Sequence, residues 1–376
     1  PSEVRPVVRG MLFNRQLLGT DHDGDPVTDA VKYTSEEQKR RLSTPYDGDD
    51  PFVDDILDIF HFDPLDFQVD SWQLINDFHQ QRHDTGHPHA AILSAPTGFG
   101  KTEAFLGPLY QQLRNGEQDT TVIVYPRRAL LQDQLGRILE HVHSMRPSGE
   151  QAPLSVGVYM GGMPYGVDKV RDDYFESESG RETFQLAHCW CGSEATTNAF
   201  TYDGSSSSYT IRCESDDTHS FTNNELILSR EQIKNGGTPD ILLTTLESLE
   251  LFALKPNYDI IDDVDTFVLD EVHLYTRLRG AHAAKIIDNI NDITEQPLLW
   301  IGASATIDNA DRFIRKLFDF PSDQLATVDV PESDLKQDHE DKEHYYFLLS
   351  PEDGPGASSM MIQQLLLLGH GLLRDT

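Results

Sequence analysis

The run Ala95-Pro96-Thr97-Gly98-Phe99-Gly100-Lys101-Thr102 has the residue types and order that a polyphosphate needs. Glycines let backbone N–H groups turn inward around an anion, and the start of a helix adds partial positive charge. Lys101 is placed to reach the β- and γ-phosphates of a nucleotide, and the Thr102 hydroxyl to ligate Mg²⁺. The run opens on Ala95 where the general pattern has glycine, one departure from a strict match. A second constellation is Asp270-Glu271, directly after the apolar stretch Thr266-Phe267-Val268-Leu269. Asp270 there would hold Mg²⁺, directly or through water, and Glu271 would orient and polarise an attacking water. Each has a plainer reading, a glycine-rich turn or a surface acid pair after a strand. Occurring in one chain, they point to ATP and Mg²⁺.

A third group is His188-Cys189-Trp190-Cys191-Gly192, followed by Cys213 and His219. Thiolates and imidazole are the ligands tetrahedral zinc prefers. Three cysteines are too few for a disulfide framework. Zn²⁺ is therefore expected on Cys189, Cys191 and Cys213, with His219 ahead of His188 as the fourth ligand. The Cys-x-Cys spacing is tighter than the usual two to four intervening residues, and the competing reading is reduced cysteines packed as small hydrophobes. Nothing resembles a nucleophile–base pair around them.

These residues need a scaffold. Short apolar runs recur at Ala90–Leu93, Thr121–Tyr125, Leu154–Tyr159, Ile241–Thr244, Thr266–Leu269 and Leu298–Ile301, each followed by a helical pattern. Near-continuous Val/Ile/Leu strands alternating with helices predict an α/β fold, a parallel sheet with helices on both faces. Both phosphate-handling runs then sit at carboxyl ends of strands, where open α/β sheets place ligands. Residues 165–224 break the rhythm and read as an insertion with little core of its own, containing the cysteines. Residues 1–63 read as an acidic N-terminal arm. Residues 331–376 hold a strand-like run, Tyr345–Leu349, and an apolar helical segment, Ser359–Leu373.

With the motifs in this order the chain resembles superfamily 2 helicases of the DEAD/DEAH-box (DExH) kind, over residues 64–330. That family carries an AxTGxGKT loop, a DExH box and a Ser-Ala-Thr motif, here Ala95–Thr102, Asp270-Glu271-Val272-His273 and Ser304-Ala305-Thr306. The resemblance implies a RecA-like P-loop domain with Lys101, Asp270, Glu271 and His273 in catalysis and Ser304 and Thr306 in coupling. It also implies that Gln68 reads the adenine, Gln73 being the alternative. Tyr125-Pro126-Arg127-Arg128, Met160-Gly161-Gly162 and Thr244-Thr245 resemble the family's nucleic-acid motifs. Small residues and exposed N–H groups at strand ends suit a phosphodiester backbone, with Arg127 or Arg128 adding charge.

The family's motors bring a second RecA-like domain with an arginine for the ATP site. This chain opens on Pro1, and its most economical reading is the N-terminal half of a larger helicase. Three functions compete: half of a DNA or RNA translocase (DNA ahead of RNA) in genome maintenance or phage defence, a nucleotide-dependent switch without translocation, and a zinc-dependent recognition scaffold. Lys101, Asp270 and Glu271 count against the scaffold, which needs none of those residue types.

The charge balance is lopsided, 63 acidic against 30 basic residues for a net of −33. Asp outnumbers Glu by 41 to 22 and Arg outnumbers Lys by 20 to 10. Such a surface repels nucleic acid in dilute buffer. Asp-rich, Lys-poor usage resembles that of salt-accumulating haloarchaea, and at molar salt the Debye length falls to about 3 Å. The charge then reports on solvent more than on partner. No run approaches the roughly 18 apolar residues of a membrane span. With no secretory signal in view either, a cytoplasmic setting is expected.

Overall fold

The computed structural model describes residues 50–330, apart from 61, 97–98, 119, 147–151, 179–180, 192–197, 206, 255–262 and 306–309. Helices α1 (Pro51–Phe60) and α2 (Asp66–Thr85) precede strand β1 (His89–Ser94), which leads into α3 (Lys101–Arg114). Next come β2 (Thr120–Tyr125), α4 (Arg128–Ser144) and β3 (Val156–Tyr159). Helix α5 (Val170–Tyr174) opens a region of small strands: β4 (Phe175–Glu178), β5 (Arg181–Phe184), β6 (His188–Cys189), β7 (Asn198–Gly204), β8 (Tyr209–Cys213) and β9 (Ser220–Thr222). The chain then runs through β10 (Leu226–Ile227), α6 (Arg230–Gly236), β11 (Ile241–Thr245), α7 (Leu246–Leu254) and β12 (Val264–Leu269). It continues through α8 (Arg277–Ile293), β13 (Leu299–Ser304), α9 (Ala310–Phe318) and β14 (Leu325–Asp329).

Eight strands form one sheet in the order β10-β3-β11-β2-β12-β13-β1-β14. Every neighbouring pair is parallel. Parallel neighbours require crossover connections, and the helices that make them cover both faces. Alternation along each strand divides the side chains between two cores. Ala91, Leu93, Ile123, Leu243 and Val268 pack with α2, α3 and α4, while Ala90, Ile92, Val122, Leu242 and Phe267 pack with α7, α8 and α9. This is the expected RecA-like sheet, and all six expected strands are in it. The two edge strands β10 and β14 were not anticipated; one has two residues and the other buries only Leu325.

Two expectations need correction. Residues 51–60, assigned to the polar arm, form α1, whose Val53, Ile56 and Ile59 are buried. Their spacing lines one helical stripe, and Val53 and Ile56 meet Trp72 of α2. The packed domain therefore includes residues 51–60. The insertion also has a core, since Phe184, Phe200, Tyr209, Ile211 and Phe221 are fully buried and continuous with the domain's own. Its aromatic residues lie too far apart in sequence to show as apolar runs. The run Tyr345–Leu349 and the segment Ser359–Leu373 lie outside the described residues.

Beneath the sheet, Arg82 of α2 is sealed from solvent against Asp265 of β12, Nη2 to Oδ1 at 3.3 Å. The same guanidinium donates to the carbonyls of Asp265, Pro297 and His79. Asp265 is where the β12–β2 ladder shifts register. No helix among the described residues is long and apolar enough to cross a membrane.

Candidate functional site

The loop after β1 is held from three sides. Phe99 is buried and its N–H donates to the Pro96 carbonyl at 3.4 Å. Gly100 has φ +71°, and a Cβ there would collide with the Gln68 amide. The Gln68 side chain is buried and bridges two backbones, accepting from the Leu65 N–H at 2.9 Å and donating to the Gly100 carbonyl at 3.1 Å. The residue expected to read adenine thus props the loop, whereas Gln73 faces solvent. The Lys101 ammonium donates to the carbonyls of Ala95 at 2.8 Å and Pro96 at 3.2 Å. Thr102 lies half-buried in the first turn of α3; Thr97 and Gly98 lie outside the described residues.

At the end of β12, the Asp270 N–H donates to Val124 of β2 at 3.0 Å, and its Oδ1 accepts from the Glu271 N–H at 2.8 Å. Burial, and then the Glu271 charge, raise the Asp270 carboxyl to about 7 against the opposing Glu271 N–H and Lys101. Burial also lowers the Lys101 pKa, which the charges of Glu271 and Asp270 partly restore. Near neutral pH this leaves a buried carboxylate short of positive charge. A divalent cation on Asp270 and Thr102 would supply it, so the donor set fits Mg²⁺.

Glu271 sits at φ 50°, in the left-handed region that glycine favours. Its Oε2 is 3.1 Å from Nδ1 of His273, and that nitrogen is 3.4 Å from the Ala305 amide. A neutral imidazole nitrogen either donates or accepts, so it serves the carboxylate or the amide, not both. Strand β13 lies between β12 and β1 and joins the two halves of the site. The Ala95 N–H donates to the Ser304 carbonyl at 3.1 Å, while the buried Ser304 hydroxyl donates to Ala305 O at 2.7 Å. Thr306 lies outside the described residues.

Farther along the same strand ends, β2, β11 and β3 are sheet neighbours. Arg127 and Arg128 are exposed after β2, and Gly161 and Gly162 after β3, with Gly162 at φ +82°. The two threonines differ from expectation. Thr244 is fully buried and donates to Tyr159 O at 2.7 Å, and Thr245 donates to the Ser248 hydroxyl at 3.2 Å. Thr244 therefore ties β11 to β3 and its side chain does not reach the surface. Arg279 of α8 was not anticipated. Its Nη2 donates to Pro126 O at 2.7 Å and to Glu247 at 3.0 Å, steadying the turn before Arg127. No spacing in the sequence marks it.

The model of the DEAD/DEAH box helicase family matches residues 73–164 and 206–313, just over half of the chain. The chain belongs to that family. The break between the matched segments falls on the small-strand region. Over 93 residues the chain is 35% identical to the Lhr helicase/probable uracil glycosylase of Mycolicibacterium smegmatis, covering 24% of this chain and 6% of that protein. It is 23% identical over 284 residues to the Druantia protein DruE of Escherichia coli, covering 60% of this chain and 15% of that protein. Among solved structures, the Mycobacterium smegmatis helicase Lhr bound to ssDNA and AMP-PNP is similar with a TM-score of 0.46 at 21% identity, over 78% of this chain and 28% of that one. The chain spans a minor part of each of these longer proteins.

In this DEAD/DEAH box domain the cysteines do converge. Ligand atoms of Cys189, Cys191, Cys213 and His219 all lie within 4.8 Å of one another. His188, the other candidate, is exposed on β6 and outside that group.

Proposed function

We propose that the chain is the ATP-binding half of a nucleic-acid helicase or translocase that couples hydrolysis of Mg·ATP to movement along DNA or RNA, DNA being the strand to test first. The observation that carries this reading is that the Lys101 loop and the Asp270-Glu271 turn leave the carboxyl ends of β1 and β12, tied through β13 by the Ala95–Ser304 and His273–Ala305 contacts, with no room for a Cβ at Gly100.

Lys101 would exchange the carbonyls of Ala95 and Pro96 for phosphate oxygens. Asp270 and Thr102 would hold Mg²⁺, which when bound neutralises charge on the phosphates. Glu271 would orient water, its carboxylate steadied by His273. The Ser304 carbonyl, bonded to Ala95, relates the phosphate loop to the strand that also meets His273. Along the neighbouring strand ends, Arg127, Arg128, Gly161 and Gly162 would follow a nucleic-acid backbone without reading its sequence. A second RecA-like domain, in cis or from a partner, completes the motor in this reading.

The test is ATPase activity of the full-length product in high KCl, with single- and double-stranded DNA and RNA. Stimulation by one of these polymers, lost in Lys101→Ala and Glu271→Gln, is the expected result. Turnover indifferent to every polymer would overturn the motor reading.

A further inference from the structure

We infer that Cys189, Cys191, Cys213 and His219 hold one structural Zn²⁺ ion, and that this ion clamps the small-strand insertion onto helix α4, whose first turn carries Arg128. The ligand distances come first. Sγ of Cys191 lies 3.4 Å from Sγ of Cys189 and 3.5 Å from Sγ of Cys213, and Cys189 Sγ is 3.2 Å from Nδ1 of His219. With Zn–S about 2.3 Å and Zn–N about 2.0 Å, the edges of a tetrahedron are roughly 3.5–3.8 Å. Disulfide sulfurs would be about 2.05 Å apart. Three thiols and one imidazole close a tetrahedral site with no position left for substrate, which makes the ion structural. Strand β6 ends at Cys189 and the chain turns at Trp190 and Cys191, which brings both sulfurs to one point. The Ser215 N–H donates to Cys213 Sγ at 3.4 Å, a bond that favours the thiolate.

The clamp follows from what the ligands touch. The His219 ring is 4.6 Å from the Trp190 ring and 4.8 Å from that of His143, near the end of α4. His143 Nε2 meets the Thr218 carbonyl at 3.1 Å, where it must be the donor. One residue beyond the helix cap, Arg146 donates to Ser220 O at 3.0 Å and pairs with Glu225 at 3.1 Å. On the same helix, a Cβ at Gly136 would lie 3.4 Å from the His188 carbonyl, so α4 and β6 run close together. Strand β6 is held to its sheet by two residue pairs, His188↔Ala199 and Cys189↔Asn198. So short a ladder holds Cys189 weakly, and the ion ties it to His219, whose neighbours Thr218 and Ser220 already bond to α4 and to Arg146 just beyond it.

The metal and the clamp stand independently of the nucleic-acid reading, whereas an effect on strand binding rests on it. Protein purified without chelator should carry about one zinc per chain. Reloading with Co²⁺ should give the visible bands of tetrahedral cobalt and thiolate charge transfer, both lost when Cys189 and Cys213 are replaced by Ser. Because Cys189 and Cys213 are both buried and their replacement strikes the fold as well as the metal, the clamp is tested on the unaltered chain by hydrogen exchange. Chelation should deprotect the 136–144 half of α4 together with β6, and added Zn²⁺ should restore both. His143→Ala should keep the metal and lose the α4 protection.

Absence of metal, or a metal whose removal leaves α4 exchange unchanged, overturns the inference. On single-stranded oligonucleotide, metal removal should weaken binding about tenfold. If metal and exchange behave as stated but no oligonucleotide binds in either state, the clamp holds and the reading of the strand edge fails.

Discussion

Gln68 of α2 and Gly100 at the head of α3 are joined side chain to backbone, Nε2 to carbonyl at 3.1 Å, where a Cβ on residue 100 would strike the amide. The phosphate loop therefore depends on a helix some thirty residues upstream. Gly100→Ala meets both the collision and the left-handed φ, which alone costs about 1–2 kcal/mol. It should weaken ATP binding more than it lowers stability, as fluorescent-nucleotide titration and urea unfolding would show. Nucleotide affinity unchanged in the variant would remove Gln68 and Gly100 from the site.

Lys101→Ala should abolish ATP binding and leave the far-ultraviolet circular dichroism intact, because among the described residues its ammonium hydrogen-bonds to the loop carbonyls of Ala95 and Pro96 and ties no helix or strand of the core together. In the reading that a second RecA-like domain supplies an arginine, residues 1–376 bind Mg·ATP but hydrolyse it slowly, that arginine being worth about 10³–10⁵ in rate. Brisk stimulated turnover by residues 1–376 alone would place the arginine within this chain or in a second copy of it.

The Asp270 carboxyl, raised to about 7, predicts proton-linked metal binding. Folding favours its neutral form, so this group's contribution to stability declines as pH rises from its ordinary 3.8 to about 7. Mg²⁺ requires the ionised form. Mg·ATP affinity should therefore climb between about pH 6 and 8 with release of a proton, and Asp270→Asn should flatten the dependence. Calorimetry in buffers of different ionisation enthalpy measures the proton directly, and a count of zero would refute the assignment.

Asp265→Ala deprives the sealed Arg82 of its carboxylate. Removing one partner of a buried pair costs about 3–5 kcal/mol. Replacing both by apolar residues, Arg82→Met with Asp265→Leu, should recover much of that loss. Denaturant midpoints decide it; a single variant as stable as the double would mean the pair is not coupled.

With a net charge of −33, the folded chain should gain stability as KCl rises from about 0.1 M towards molar concentrations, where the Debye length shrinks from about 10 Å to 3 Å. Thermal midpoints flat across that range would mean that repulsion among the acids does not limit folding.

The strands that carry the candidate site could be read in advance because burial on both faces makes each a continuous apolar run, such as Ala90–Leu93 or Thr266–Leu269. The phosphate loop and the acid box were equally legible, since both follow strand ends in fixed order. Side-chain geometry was not. Thr244 looks like a surface contact until its hydroxyl is found on the Tyr159 carbonyl, and no spacing shows that both ends of the Gln68 amide meet backbone. Arg279 and the Arg82–Asp265 pair join residues 153 and 183 positions apart, a separation at which no local pattern operates. The edge strand β10 is too short to register against its neighbours.

Strands β3 and β10 lie side by side at the rim of the sheet, yet 66 residues separate Tyr159 from Leu226. The described residues between them leave the sheet and return to it at one address. Each doubling of such an excursion adds only about 0.6 kcal/mol to the entropy of closing it. The inner ladder from β11 to β1 closes without passing through it. The segment could therefore be lengthened, shortened or exchanged while the strands from β11 to β1 kept their registers, making the rim a graft point for different accessories.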